Sequence, residues 1–170
     1  MDARTPFVLL EPVPATLWQR LLRRKPRENA VVEINNRFAR AAHVRDVTLS
    51  DIYGICQDHR ADLSVVGGRL ERLYRDYLTH CLTDRQLSAE ELADLAHLKA
   101  VLRIGDETAA RIHDYAARQI YARSVGEVLA DGVIDEAERE FLRALQRDLS
   151  IPGRVADRIV DAKRRQRTDT

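Results

Sequence analysis

The stretch "LADGVIDEAEREFLRALQRDLSIPGRVADRI", Leu129 to Ile159, decides the fold, because the chain carries it twice. Residues 82–114 align with 129–161 without a gap, and eleven of those thirty-three positions are identical. Leu82, Asp84 and Glu91 recur as Leu129, Asp131 and Glu138. Leu95, Leu98, Leu102 and Ile104 recur as Leu142, Leu145, Leu149 and Ile151, the leucines at the three-four spacing of one helix face. Each copy reads as turn, helix, short turn, helix. A helical hairpin cannot bury its apolar face alone, so a repeated one stacks on a neighbour. The expectation is a pseudo-symmetric pair in which Leu95, Leu98, Leu142 and Leu145 meet in a shared interior. A long helix from about Asp106 to Leu129 would connect the two copies.

Upstream, "ENAVVEINNRFARA" predicts a helix with Val31, Ile34 and Phe38 on one side. "VTLSDIYGICQDHR" predicts another, capped by Thr48 or Ser50, with Ile52, Ile55, Cys56 and His59 sharing a face. "GGRLERLYRDYLTHCL" holds the helical period throughout, through Leu70, Leu73, Tyr74, Tyr77, Leu78 and Cys81. The fold class expected is all-α, a bundle of about seven or eight helices with an internal tandem helical-hairpin repeat. Three parts are expected: an arm and short basic helix over 1–27, a helical part over 28–81 and the repeat over 82–167.

Composition agrees. In 170 residues, 45% are apolar and 32% charged, which suits a packed globular chain and not a disordered one. Seven glycines, five prolines and nine aromatics leave Leu, Ala, Arg, Asp and Glu to dominate, favouring helix. A net charge of +1 argues against a dedicated nucleic-acid binder. No run approaches the ~18 apolar residues of a membrane span, and Glu11 interrupts the apolar patch near the start, so no secretory signal is read. Two cysteines are too few for a disulfide framework, and the cytoplasm is the expected compartment.

"LADGVIDEAERE" also resembles the second half of an EF-hand loop. Asp131, Gly132, Asp135 and Glu138 would fall at loop positions five, six, nine and twelve, with Glu127 at position one. Those four carboxylates, Glu127, Asp131, Asp135 and Glu138, are the candidate metal ligands. Position three, however, is Leu129, which offers no side-chain oxygen. A second reading covers both copies. Ser88 with Glu91, and Asp135 with Glu138, each form a capping box at a helix start, and Gly132 gives the D-G turn its backbone freedom. The capping reading is preferred, and neither metal nor cofactor is expected.

"ATLWQRLLRRK" predicts a short basic amphipathic helix ended by Pro26. Trp18, Leu22, Arg23 and Arg24 are its candidate contacts with a partner protein or a membrane surface. Cys56, His59, His80 and Cys81 could supply zinc ligands, but His80 and Cys81 diverge on a helix, and both cysteines lie on apolar stripes. Residues 47–76 have the outline of a helix-turn-helix. The second helix mixes Arg69, Arg72 and Arg75 with Glu71 and Asp76, which is no clean basic footprint. No phosphate loop, dinucleotide fingerprint or nucleophile elbow is present, so the chain is not expected to be an enzyme.

Leu129, Ala130, Asp131, Gly132, Ile134 and Glu138 resemble the motif of the TerB-like superfamily, named for a tellurite-resistance protein. Leu82, Asp84, Leu87 and Glu91 are a weaker copy of it. The tandem arrangement is also similar to the helical repeats of a chloroplast envelope import scaffold. The TerB-like resemblance implies a bacterial protein, cytoplasmic or membrane-peripheral, linked to stress or envelope processes, in a family where some members bind divalent metal. The function expected is a non-enzymatic protein-interaction or scaffold module. A divalent-cation-binding stress protein is the first alternative and a DNA-binding regulator the second.

Overall fold

The computed structural model describes residues 6–21, 25–82, 87–131 and 133–168. Among them there is no strand, and the chain is an all-α helical bundle. Its helices are α1 (Leu17–Leu21), α2 (Asn29–Arg40), α3 (Leu49–Asp58), α4 (Leu63–Cys81), α5 (Ala89–Val101), α6 (Asp106–Val128), α7 (Glu136–Asp148) and α8 (Gly153–Thr168). Single 3-10 turns occupy Val44–Asp46 and Leu129–Asp131. The connecting helix expected from about Asp106 to Leu129 is α6.

The helix starts are those the sequence encodes. Thr48 caps α3, Ser88 caps α5 and Asp135 caps α7, each in a reciprocal box. The Ser88 hydroxyl accepts the Glu91 N–H at 3.2 Å, while the Glu91 carboxylate accepts the Ser88 N–H at 2.8 Å. The Asp135 carboxylate accepts the Glu138 N–H at 2.8 Å, and Glu138 accepts the Asp135 N–H at 2.9 Å. Only α4 begins well before its expected start. Its first turn is held by Asp62, whose carboxylate accepts the Ser64 N–H at 2.8 Å, so the helix runs through Gly67 and Gly68.

The two copies of the repeat match residue for residue in local structure. Helices 89–101 and 136–148 start and stop 47 residues apart, and both end with a left-handed residue one position beyond the cap. Arg103 has φ 57° and Ser150 φ 52°. The Ile104 N–H returns to the Lys99 carbonyl at 2.9 Å and the Ile151 N–H to the Gln146 carbonyl at 3.0 Å. These are Schellman closures, which satisfy carbonyls at a helix end. A third ends α3, where Arg60 has φ 50° and the Ala61 N–H reaches the Cys56 carbonyl at 2.9 Å.

Contacts divide the chain into two compact units, one of residues 1–80 and 88–109, the other of 81–87 and 110–170. This differs in one respect from the expected parts at 28–81 and 82–167: α5, from the first copy of the repeat, belongs with the N-terminal helices. The reason is polar as well as apolar. In the first unit α5 packs on the 3-10 turn 44–46 and on α3. Asp94 on α5 accepts from Arg45 Nε at 2.7 Å and from the Tyr77 hydroxyl at 2.9 Å, and His97 Nε2 lies 2.8 Å from the Val47 carbonyl. Ile34, Phe38, Ile52, Leu70, Leu78 and Leu98 are among the fully buried side chains of this unit.

The second unit has its own core. Tyr121, Val125, Leu129, Leu142, Leu145, Ile151 and Ala156 form one buried cluster. The repeated leucines are therefore core residues in both copies, with Leu95 and Leu98 as deeply buried as Leu142 and Leu145. Each pair builds into its own unit.

Candidate functional site

The site emerges from three asparagines on α2. A helix places residues seven apart on one side, two turns along. Asn29 and Asn36 have that spacing, and Asn35 lies beside Asn36; all three are buried. Buried amides cost free energy unless every group finds a partner, and here the partner is the backbone of the extended arm. The Asn36 side chain accepts the Leu10 N–H at 2.7 Å and donates to the Leu10 carbonyl at 2.8 Å. Asn29 does the same to Val13, at 2.8 Å in both directions. Asn35 donates to the Val8 carbonyl at 2.7 Å. An asparagine amide carries an acceptor and two donors, so it can satisfy the N–H and the carbonyl of one residue as a neighbouring strand would. Among the described residues no buried side-chain polar atom lacks a partner.

One side chain anchors the arm. Phe7 is buried and stacks on Phe38 of α2, ring centroids 5.1 Å apart, and on Tyr77 of α4 at 5.8 Å. Beyond it the clamps read only main chain, so the arm's other side chains are displayed. Val8, Leu9, Leu10 and Val13 are all exposed. The display continues into α1, where Leu17 is 82% exposed and Trp18 and Leu21 are 74% exposed. For a short apolar stretch this is a large uncovered surface, of the kind that marks an interaction site.

Trp18, of the expected contact residues, thus lies on this strip. Leu22, Arg23 and Arg24 lie outside the described residues. At the base of the arm, the buried ring of His59 sits between the Pro26 carbonyl, 2.9 Å from Nδ1, and the Glu33 carboxylate, 2.6 Å from Nε2. Both ring nitrogens are committed to those contacts, so His59 is not offered to a metal with Cys56. Cys56 and Cys81 are buried free thiols, and burial pushes the Cys56 thiol above its ordinary range.

Of the candidate metal ligands, those with described side chains are not gathered into a loop of oxygens. Asp135 and Glu138 are turned onto backbone N–H groups in the capping box. Leu129 is in the apolar core, Glu127 is on the exposed last turn of α6, and the Asp131 side chain lies outside the described residues. Among the described residues no group of three or more His, Cys, Asp or Glu side chains is placed to hold a metal ion. In the helix-turn-helix outline, Arg72 faces Asp76 at 3.9 Å on the exposed side of α4. The second unit carries an open cavity of about 650 Å³, lined in part by Leu82, His113, Asp148 and Ile151. No described helix is long and apolar enough to cross a membrane.

The asparagines were not legible as a site. Polar residues on a helix read as a solvent face, and their partner here is main chain, which leaves no signature in sequence. The one available signal was "INN", which sets two amides directly after Ile34, a residue of the side expected to be buried with Val31 and Phe38.

A family model described as Tic110, chloroplast envelope transporter, matches residues 29–169. The match begins at the first residue of α2. The chain is also similar to "Protein TIC110, chloroplastic" of Arabidopsis thaliana, 26% identical over 127 residues, which cover 71% of this chain. They cover only 12% of that protein, so the chain corresponds to a small part of it. No solved structure matches. These findings correct four expectations. The family found is the chloroplast envelope one and not the TerB-like one, and its description overturns the bacterial, cytoplasmic and stress-response readings. The repeat motif misled because its shared residues are those of a capped helical hairpin, which recurs wherever that local structure does.

Proposed function

The chain belongs to the Tic110 family, and we propose that it works as a non-enzymatic protein-interaction module of a chloroplast envelope scaffold. Its docking element is the apolar strip of residues 8–21. The observation that carries this reading is the way the arm is held. Main-chain clamps and one buried aromatic fix the segment, and its other large apolar side chains are left outward. A segment needed only to cover the domain would turn those side chains inward, since each buried one contributes about 1.5–3 kcal/mol. The partner is another protein, which would cover the exposed side chains of Val8, Leu9, Leu10, Val13, Leu17, Trp18 and Leu21. Contact with a membrane surface is the competing use of the same strip, because apolar side chains beside Arg23, Arg24 and Lys25 also suit an anionic interface.

A photo-crosslinking amino acid at Leu9 or Leu17, in the full chain, tests the proposal against isolated chloroplast envelope proteins and against protein-free vesicles of envelope lipids. Discrete protein adducts at these positions, and none at the exposed control Val65, are expected. Adducts with lipid alone would replace the protein partner with the membrane surface.

A further inference from the structure

We infer that the asparagine face of α2 is a receptor for an extended polypeptide segment led by an aromatic residue, and that residues 7–13 are its resident occupant. This goes beyond the docking role of the arm's outer side, since it concerns the seat beneath the arm. Three observations carry it. First, the bonds that Asn29, Asn35 and Asn36 make to the arm all go to peptide groups, with Asn35 also donating to the Asn36 side chain at 3.3 Å, so the seat recognises an extended backbone and not the side chains of Val8, Leu10 or Val13. Secondly, the one selective contact is the aromatic slot between Phe38 and Tyr77, filled by Phe7. Thirdly, α2 lies inside the family match at residues 29–169 and the arm lies outside it, so the seat belongs to the part of the chain that resembles the family and its occupant does not.

The chemistry of the ligand follows. It is a segment in extended conformation, with an aromatic side chain at one end. A free N–H and carbonyl are needed three residues on, where Leu10 sits, and again six residues on, where Val13 sits. The intervening side chains are unconstrained. Recognition of this kind resembles strand addition, in which main-chain hydrogen bonds supply affinity and a pocket supplies selectivity. The ligand binds by displacing the arm. Its apparent affinity for the unaltered chain is therefore lowered by the fraction of time the seat is filled from within.

The test uses a fluorescent peptide of residues 6–14, PFVLLEPVP, titrated against the full chain by anisotropy. Phe7→Ala, which loosens the resident arm, should bind the peptide at least tenfold more tightly than the unaltered chain. If Phe7→Ala loses helical circular dichroism, the double variant Leu10→Pro/Val13→Pro removes the arm's two clamped N–H groups without touching the aromatic slot and takes its place. N-methylation of the peptide at the positions of Leu10 and Val13 should weaken binding about tenfold or more, through two lost donors. Exchange of the side chains at Val8, Leu9, Leu10 and Val13 should change it less than threefold. Asn36→Asp, which keeps shape but cannot donate to the carbonyl, should weaken binding on the arm-loosened background. Absence of peptide binding to the folded, arm-loosened chain would overturn the inference, as would binding indifferent to N-methylation. Crosslinking at Leu9 and Leu17 reads the outer side of the arm, so the docking proposal stands or falls separately.

Discussion

Glycine placed at the left-handed helix ends should stabilise this protein. Arg103 and Ser150 adopt φ of 57° and 52° in Schellman closures, the positions where glycine is most often found. An L-residue in that region costs about 1–2 kcal/mol through the clash of Cβ with the carbonyl oxygen. Glycine removes the clash but gives back about 0.5–1 kcal/mol through its freer unfolded chain. The net expectation is a gain of about 0.5–1 kcal/mol for Ser150→Gly, and the same for Arg103→Gly. The two residues lie in different compact units, so the double variant should gain about the sum. At this chain length the single changes correspond to a rise in Tm of about 1–4 °C. Urea titration followed by circular dichroism reads the shift. Ser150→Ala, which keeps a Cβ at positive φ, should bring no gain. Leu149→Gly, one residue earlier at φ −82°, should lose stability. A fall in midpoint for both glycine variants, or an equal rise for Ser150→Ala, would refute the reasoning.

Removing either half of a capping box should also be measurable. Asp135→Ala, Glu138→Ala and Ser88→Ala should each lower stability by about 0.5–2 kcal/mol, by the same amount in millimolar calcium as in chelator; a calcium-dependent rise in Tm that Glu138→Ala erases would favour cation binding instead. Leu145→Ala, at a 3% exposed core position, should cost about 2–5 kcal/mol, and a loss under about 0.5 kcal/mol would remove this leucine from the core of its unit. Acid should act through Asp51. Its carboxyl is held below 3.8 by the Thr48 hydroxyl, by the Thr48 backbone N–H and by Arg37, whose Nη2 lies 3.0 Å away. A depressed folded value means that the contribution is complete above the unfolded value and is lost as pH falls through the lower folded one. Asp51→Asn should therefore flatten the stability profile below about pH 4, and a profile unchanged there would show that another carboxylate governs the acid limb.

Helix starts in this chain were legible because they carry side-chain chemistry. Thr48, Ser88 and Asp135 each stand three residues before an acidic partner, and each caps as that spacing implies. Helix ends were less legible. The usual marker is glycine, and Arg60, Arg103 and Ser150 stand in its place. The start of α4 was hidden by Gly67 and Gly68, which read as a break until Asp62 is seen capping the turn before them. The repeat was legible through its leucines, and its division between two units was not. That division is held in part by polar contacts of Asp94 and His97 with the 44–47 turn and Tyr77, in which no residue of the repeated pattern takes part. The arm's apolar character was visible, whereas the seat beneath it depended on main-chain partners that a sequence does not display.

The clamped arm has a consequence for how such a segment can change over evolutionary time. In most of a folded chain a residue serves both the fold and its use, and a substitution that improves one endangers the other. Val8, Leu9 and Val13 are released from the first duty, because Asn29, Asn35 and Asn36 hold the peptide groups and ignore what hangs from them. The only residues barred from positions 10 and 13 on hydrogen-bonding grounds are prolines, which lack the N–H that the clamps require. The chain's own prolines in this segment fall instead at 6, 12 and 14. The arm can therefore drift in sequence, acquiring or losing a specificity, while the domain that carries it stays as stable as before.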